Sequence, residues 1–508
     1  MNQKSKQIRI IDIDKLDVYK NKRNCYSEIE DFVNSHKGTK GQICALYGLL
    51  STGKTELLQQ IAKELHEKGH KCLYLSCSDE YENIIKDRSN NVVHRPEIEE
   101  LYELLDQAIK EDYNYVFIDE LTLVKDFVGQ SNVLSNFYAN QGLNIIVTGT
   151  DSLSFVLAAQ DGLMDRLKPI HTSYVSFEEY NKLLGKGLDE YIQSGGTLKK
   201  ESPYKNHSTM IEYTDKAIVN NIIHSINGFE HCDSQAITLL YPEADIKSTI
   251  NSCIKQMNQD FIISNVVSLA KLPKDSFAIP NKNELPIQMD ADDIERIKNT
   301  FKDLELVLTV PTYKSVSDGF PVQDTPTQIL SQSGMIYCHA AELIKLLVND
   351  ENWKQLEKCG LGNKQNFIDI IDRQVKEAIL KNLIIYDTYK ALNENYYVTK
   401  IRRHANGKEV ALAIVDKQSK DTYLFEVKYS QHKVGNEAKN LADEDFSDYI
   451  EEKFGKIKGR YVLYTGENDR IDSPFGEINF FSAELFLKSV VKAKTVENLL
   501  ALLDKSQG

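Results

Sequence analysis

The chain has no apolar run near the ~18–20 residues that a bilayer crossing requires, so its 508 residues read as a protein without a membrane helix. The first residues, MNQKSKQIRIIDIDK, lack the apolar core of a signal peptide, which predicts a cytoplasmic protein. Cysteine is sparse, eight in all, and no two form a CxxC pair. Without an export signal these read as reduced thiols, with Cys44, Cys72 and Cys77 in core strands. Basic residues are the minority: 61 Lys and Arg stand against 75 Asp and Glu, a net charge of -14. That excess of acid argues against a chain that coats nucleic acid non-specifically. It leaves a local basic face open, and Lys400, Arg402, Arg403 and His404, with Lys408 nearby, are the candidate. A cluster this small reads first as a solvated loop.

What remains is an ordinary globular balance, 41% hydrophobic and 27% charged, over a length that suits about three domains. The strongest local signal is early. The apolar run QICALY leads into Gly48-Leu-Leu-Ser51-Thr52-Gly53-Lys54-Thr55, which fits GxxxxGK[ST], and then into a helical pattern with Leu57, Leu58, Ile61, Ala62 and Leu65 on one face. Glycines let such a loop turn its backbone N–H groups inward on phosphate oxygens, and the helix N-terminus adds partial positive charge. Lys54 is placed to reach the β- and γ-phosphates of ATP, and the Thr55 hydroxyl to ligate Mg²⁺.

Three further strands follow: KCLYLSC, then Tyr115–Ile118 ending in Asp119-Glu120, then Asn144–Thr148. Asp119 is the expected magnesium carboxylate and Glu120 the group that orients the attacking water, although an acidic pair here could also cap the next helix. Thr148 is either a γ-phosphate sensor or, with Ser152, a helix cap. Arg166 is either an arginine finger or half of an ordinary ion pair. His66-Glu-Lys-Gly-His70 matches the HExxH zinc-protease pattern, but Gly69 reads as a helix stop that throws His70 off the helix.

This order of parts resembles AAA-type ATPases with an additional strand in the sheet. More narrowly, it resembles a prokaryotic ATPase family that carries a C-terminal restriction-endonuclease-like domain. VTGTDSLSF, DRLKPIHTSYVSFEEY, LDEYIQSGG, ILSQSGMIYCHAAELIKLL and the closing GRYVLYTGENDR with INFFSAELFL fit that family in its order. The resemblance implies an α/β fold with a P-loop sheet, a helical lid, a winged-helix-like middle domain and a nuclease-like α/β domain. The corresponding boundaries are 1–175, 176–272, 285–355 and 360–508. Helical patterns between about Phe177 and Leu272 suit the lid, and LPKDSFAIPNKNELP suits a connector. ADDIERIKNTFKDLELVLTVPTY reads as two helices and a strand, with SVSDGFPVQDTPTQ as a longer loop.

Near the C-terminus a helix, FIDIIDRQVKEAIL, precedes three strands, YYVTKIRR, EVALAIVD and TYLFEVKY. This α-β-β-β order is that of a PD-(D/E)xK nuclease core. Glu426 and Lys428 lie two apart and share a strand face. By resemblance the helix acid is Asp372, and the family's central Asp on the second strand is replaced by Ala411. Glu409, on the same face and two residues earlier, lies about 6.5–7 Å away along the strand. The expected site, Asp372, Glu409, Glu426 and Lys428, therefore reads as one that keeps the fold and has reduced or no cleavage activity. Three functions follow as expectations. The first is a Mg²⁺-dependent ATPase that switches its other domains. The second is an ATP-regulated DNA nuclease. The third is a non-catalytic, nucleotide-gated switch that binds DNA or protein. ATP is the expected ligand, DNA and a second copy of the chain are candidate partners, and no membrane is involved.

Overall fold

The computed structural model describes residues 7–35, 41–77 without 50, 96–198 without 151 and 161, 302, 307–337 without 317–319 and 335, 353, and 363–505 without 404, 406, 432–437 and 474–475. The expected lid helices beyond Leu198, the connector, His404 and the two helices before Val307 lie outside the described residues. No described helix is long and apolar enough to cross a membrane.

The N-terminal unit is built on β1 (Arg9–Ile11), β2 (Ile43–Tyr47), β3 (Cys72–Ser76), β4 (Tyr115–Asp119), β5 (Asn144–Gly149) and β6 (Leu167–His171). The strand order is β1-β3-β4-β5-β2-β6. Every pairing is parallel except that of β1 with β3. β2 and β4 are buried along their whole length, as continuous apolar runs in a sheet covered on both faces should be. β5 stands between β2 and β4, so the Asp-Glu strand is one strand removed from the phosphate-loop strand. Helices α1 (Tyr26–Ser35) and α2 (Lys54–Glu67) pack against one face through Ile29, Phe32, Leu58 and Ile61. α3 (Ile98–Lys110) packs on the other through Leu101 and Leu105. α2 stops where expected: Gly69 adopts φ 88°, and His70 leaves the helix to stack edge-on against Tyr115. The zinc-protease pattern is thereby excluded, since its two histidines do not share a helical face.

After β6 come α4 (Phe177–Leu184) and α5 (Leu188–Ser194). Phe177, Tyr180, Leu188, Tyr191 and Ile192 share one apolar cluster with Leu49 of the phosphate loop and with the C-terminal unit. The middle segment contains a hairpin, β7 (Val307–Ser315) with β8 (Val322–Leu330). The stretch read as a long loop thus holds the hairpin turn and most of its second strand. Pro311 sits at a register shift between Val310 and Thr312, where a residue without an N–H leaves the ladder least disturbed.

The C-terminal unit begins with α6 (Lys364–Leu392), capped by the Asn363 side chain on Asn366 N–H. β9 (Tyr396–Arg403), β10 (Lys408–Asp416), β11 (Thr422–Val427), β12 (Ile457–Tyr464), β13 (Asp469–Ser473) and β14 (Gly476–Ser482) form a mixed sheet ordered β13-β14-β12-β11-β10-β9. α7 (Glu444–Phe454) packs on the face opposite α6 through Phe446 and Ile450. The α-β-β-β reading is matched element for element. The basic cluster lies on β9 and β10 rather than in a loop, with Arg403 paired to Asp445 and Lys408 to Asp443, each at 2.6 Å.

Candidate nucleotide site and the C-terminal carboxylate cluster

The phosphate loop leaves β2 and closes on α2. Gly48 has φ 147°, and a Cβ there would stand 2.6 Å from Ser173 Oγ and 2.7 Å from Thr172 Oγ1, so only glycine fits. Gly53, at φ 86°, is the residue before the helix. Ser51 takes a positive φ of 61°. Thr52 is buried and donates to the Leu49 carbonyl at 2.8 Å, which fixes the middle of the loop. Lys54 opens α2 and folds back over the loop, donating to the Gly48 and Leu49 carbonyls at 2.9 and 2.8 Å.

The carboxylates meet this loop from the neighbouring strands. Thr55 Oγ1 donates to Asp119 Oδ1 at 3.0 Å, and Thr148 Oγ1 donates to the same oxygen at 2.6 Å. Thr148 also accepts from Glu120 N–H at 3.0 Å. It therefore fastens Asp119 and Glu120 to the intervening strand, a role neither of its sequence readings contained. Burial, followed by the Glu120 charge, raises the Asp119 carboxyl to about 6. Glu120 adopts φ 55°, ψ 47°, a sparsely populated conformation for a non-glycine residue and one found preferentially at functional sites. Its carboxylate takes two hydrogen bonds from Thr150, from N–H at 3.0 Å and from Oγ1 at 2.6 Å. Thr55 and Asp119 suit Mg²⁺, being a hydroxyl and a carboxylate in contact beside a phosphate loop.

Residues 40–181 match the family model described as an AAA domain. This segment is similar to AAA domains of P-loop ATPases. No curated protein matches the chain. Solved structures that align with it include a DNA replication initiation factor, at 12% identity over 72% of this chain and 97% of that one, TM-score 0.25. DnaA from Aquifex aeolicus bound to AMPPCP aligns at 11% identity over 72% and 97%, TM-score 0.22. Hsp104 with ATPγS and casein aligns at 15% identity over 53% and 54%, TM-score 0.27. These TM-scores are low, and the family match carries the assignment.

Arg23 lies outside every motif read from the sequence. Arg23 uses all five of its donors: Nε and Nη2 hold Glu179 at 3.1 and 3.0 Å, Nη1 holds the Thr52 and Thr172 carbonyls at 2.7 and 2.8 Å, and Nη2 also holds the Tyr174 carbonyl at 3.0 Å. Both side chains are only 5% exposed. The pair ties the phosphate loop to the exit of β6 and to α4. Arg166 lies elsewhere. It precedes β6, and the register Ile43↔Leu167 to Tyr47↔His171 sets it at the opposite end of the sheet from the loop. Five strand positions amount to about 16 Å, beyond the reach of an arginine side chain. Its guanidinium donates to the Gly162 carbonyl at 3.1 Å, so it does not serve the phosphate loop of its own chain.

In the C-terminal unit the expected four residues do not converge as a set. Asp372 accepts from Tyr337 at 2.7 Å and pairs with Lys376 at 3.3 Å. The helix acid that reaches the ExK strand is Glu377, which meets Lys428 at 3.5 Å and Tyr429 N–H at 3.3 Å. Lys381, one turn on, meets Glu377 at 3.0 Å. Glu426 is buried, lies 3.7 Å from Lys428, and has one oxygen, Oε2, without a hydrogen-bond partner. Burial raises its pKa, and the Lys381 and Lys428 charges offset only part of that. Burial opposes the charge on Lys381, but Glu377, Glu426 and Glu409 together hold its pKa above the usual value. Glu409 thus belongs to the cluster by charge. Among the described residues no group of three or more His, Cys, Asp or Glu side chains is arranged to hold a metal ion. A divalent ion does not fit this arrangement: two lysines already stand among three carboxylates. The available sequence signal was the i,i+4 pair Glu377–Lys381 on the helix preceding ExK.

Proposed function

We propose that the chain is a Mg²⁺-dependent ATPase whose nucleotide state is communicated to a C-terminal domain of restriction-endonuclease-like build that does not cleave DNA. One observation carries the ATPase reading: the hydroxyls of Thr55 and Thr148 converge on Asp119 Oδ1, next to Glu120 and at the foot of a phosphate loop. Backbone N–H groups of residues 51–55 would receive the β- and γ-phosphates, and Lys54 would exchange its loop carbonyls for phosphate oxygens. Thr55 and Asp119 would hold Mg²⁺, which supplies charge neutralisation at the phosphates when bound. Glu120 would release Thr150 and accept a hydrogen bond from the attacking water, polarising it. Arg166, too far from its own loop, would serve the loop of a neighbouring subunit. Lys54→Ala should abolish ATP binding, and unchanged affinity would sink the phosphate-loop reading. Glu120→Gln should bind ATP and fail to hydrolyse it.

A second reading, an ATP-regulated metal-dependent nuclease, has one observation in its favour: the unpartnered buried oxygen of Glu426 beside Lys428. Incubation of plasmid DNA with Mn²⁺ tests it. Cleavage by the wild type that disappears in Lys428→Ala would establish this reading and overturn the first.

A further inference from the structure

The phosphate loop and the C-terminal cluster are joined by one short segment, residues 188–198. At one end, Leu198 N–H donates to the Ser51 carbonyl at 2.9 Å, inside the loop. The Leu198 side chain also lies against Gly53, 3.3 Å from where a Cβ would stand. At the other end, Asp189 on α5 accepts from Lys376 at 2.8 Å and from the Tyr429 hydroxyl. Tyr429 directly follows Lys428, and its own N–H donates to Glu377, so one residue is shared between Asp189 and the carboxylate cluster.

The segment between these ends is stiff. Ser333 Oγ donates to the Tyr191 carbonyl at 2.8 Å and Gly334 N–H to the Gly195 carbonyl at 3.1 Å. A Cβ at Gly195 or Gly196 would stand within 2.4–2.6 Å of Tyr191 or Gln332, so the turn is packed to contact. Leu188, Tyr191 and Ile192 share their apolar cluster with Leu49 of the loop and with Ile371 and Val375 of α6. Close-packed interiors of this kind transmit displacement rather than absorb it. The Asp189 contacts are the weak link, because the Asp189 side chain is 52% exposed.

We propose that residues 188–198 act as a strap coupling nucleotide occupancy at the phosphate loop to the Glu377–Lys428 cluster, with Asp189 as the contact on which the coupling acts. This rests on the reading of the loop as an ATP site. Binding phosphate requires the loop amides to turn inward, which moves the Ser51 carbonyl and with it Leu198. Coupling is reciprocal, so a change at Asp189 must alter nucleotide affinity although Asp189 touches no part of the loop.

The test uses the full chain, a fluorescent non-hydrolysable ATP analogue with Mg²⁺, and amide hydrogen exchange. In the wild type the analogue should change exchange in residues 372–381 and 426–431. Asp189→Ala should abolish that change and shift analogue affinity about fivefold or more, and Asp189→Glu should restore both. If the wild type binds the analogue while exchange in those segments is unchanged, the strap is refuted and the ATP site stands. Affinity in Asp189→Ala within about twofold of wild type also refutes it. If the wild type does not bind the analogue, the ATP-site reading fails and the strap with it.

Discussion

Replacing Arg23 gives the sharpest test of how the AAA domain is held together. Arg23→Met removes five hydrogen bonds and leaves the Glu179 carboxylate buried, with Asn24 N–H at 2.6 Å as its remaining donor here. Breaking one side of a buried pair costs about 3–5 kcal/mol, mostly from the charge left without its partner. Against a net stability of about 5–15 kcal/mol, that is a large loss. Arg23→Met with Glu179→Leu removes both charges and should recover part of it. The recovery is incomplete because the Thr52, Thr172 and Tyr174 carbonyls lose their donor. A double-mutant cycle should therefore give an interaction energy of about 2–3 kcal/mol. Urea unfolding of the full chain, compared at the first transition, measures the cycle. ATP affinity read alongside should fall in Arg23→Met, because Nη1 anchors the middle of the loop. A loss under about 1 kcal/mol, or single effects that add within about 0.5 kcal/mol, would refute the reasoning.

Asp387 is fully enclosed, accepts from Tyr174 at 2.7 Å, and has its second oxygen without a partner. Burial pushes its carboxyl up to about 7, against the pull of the Tyr174 bond and Lys390 and with the push of Glu178 and Glu179. A carboxyl raised in the folded state makes stability fall as pH rises from about 4 to about 7 and level off above. Asp387→Asn should therefore gain melting temperature over wild type progressively across that window. A gain that is independent of pH would contradict the assignment. In the C-terminal cluster, Lys381→Met with Ala411→Asp should create Mn²⁺ binding measurable by calorimetry, with the wild type binding far more weakly. A folded double variant with no gain would show that Lys381 does not occupy the place of a cation. Mixing Arg166→Ala with Lys54→Ala protein should recover ATPase activity that neither variant has alone; no recovery would exclude action on a neighbouring subunit's loop.

The nucleotide site was legible because its parts are local. A strand, a glycine loop and a helix within residues 42–67 determine one another by short-range sterics, and an apolar strand ending in Asp119-Glu120 needs only a sheet to bring it near. The strands, the stop at Gly69 and the α-β-β-β run were readable for the same reason. Arg23 was not, because its meaning lies in five acceptor atoms spread over three segments remote from it in the chain. The helix acid was misplaced by five residues: family spacing pointed to Asp372, whereas helix phase and the neighbouring Tyr337 and Lys376 take Asp372 away from the ExK strand. The strand at 322–330, read as a loop as far as Gln328, carries Pro326 and mostly polar residues, so its β pattern rests on pairing with β7 and not on its own periodicity.

Ala411 acquires a different weight once its surroundings are known. The ladder between β10 and β9 slips by one residue between Val410 and Ala413, so an extra residue is inserted at the position where the acid is missing. Ala411 packs against the apolar cluster that contains the buried face of α6, and Lys381 lies on that same helix. Loss of an acid and presence of a lysine act in one direction: both lower the negative charge that would attract a divalent ion. The cluster then holds three glutamates and two lysines, with one Glu426 oxygen left without a hydrogen-bond partner. A nuclease reaches a DNA backbone through its metal, and of the basic side chains that could replace that attraction, Arg403 and Lys408 are engaged by Asp445 and Asp443 while Lys400 and Arg402 are exposed on β9. The contacts that this face does make run to Asp189 and, through Tyr337, to the middle segment. On the proposed reading, the C-terminal domain would report on the phosphate-loop domain beside it, and protein is the first partner to test.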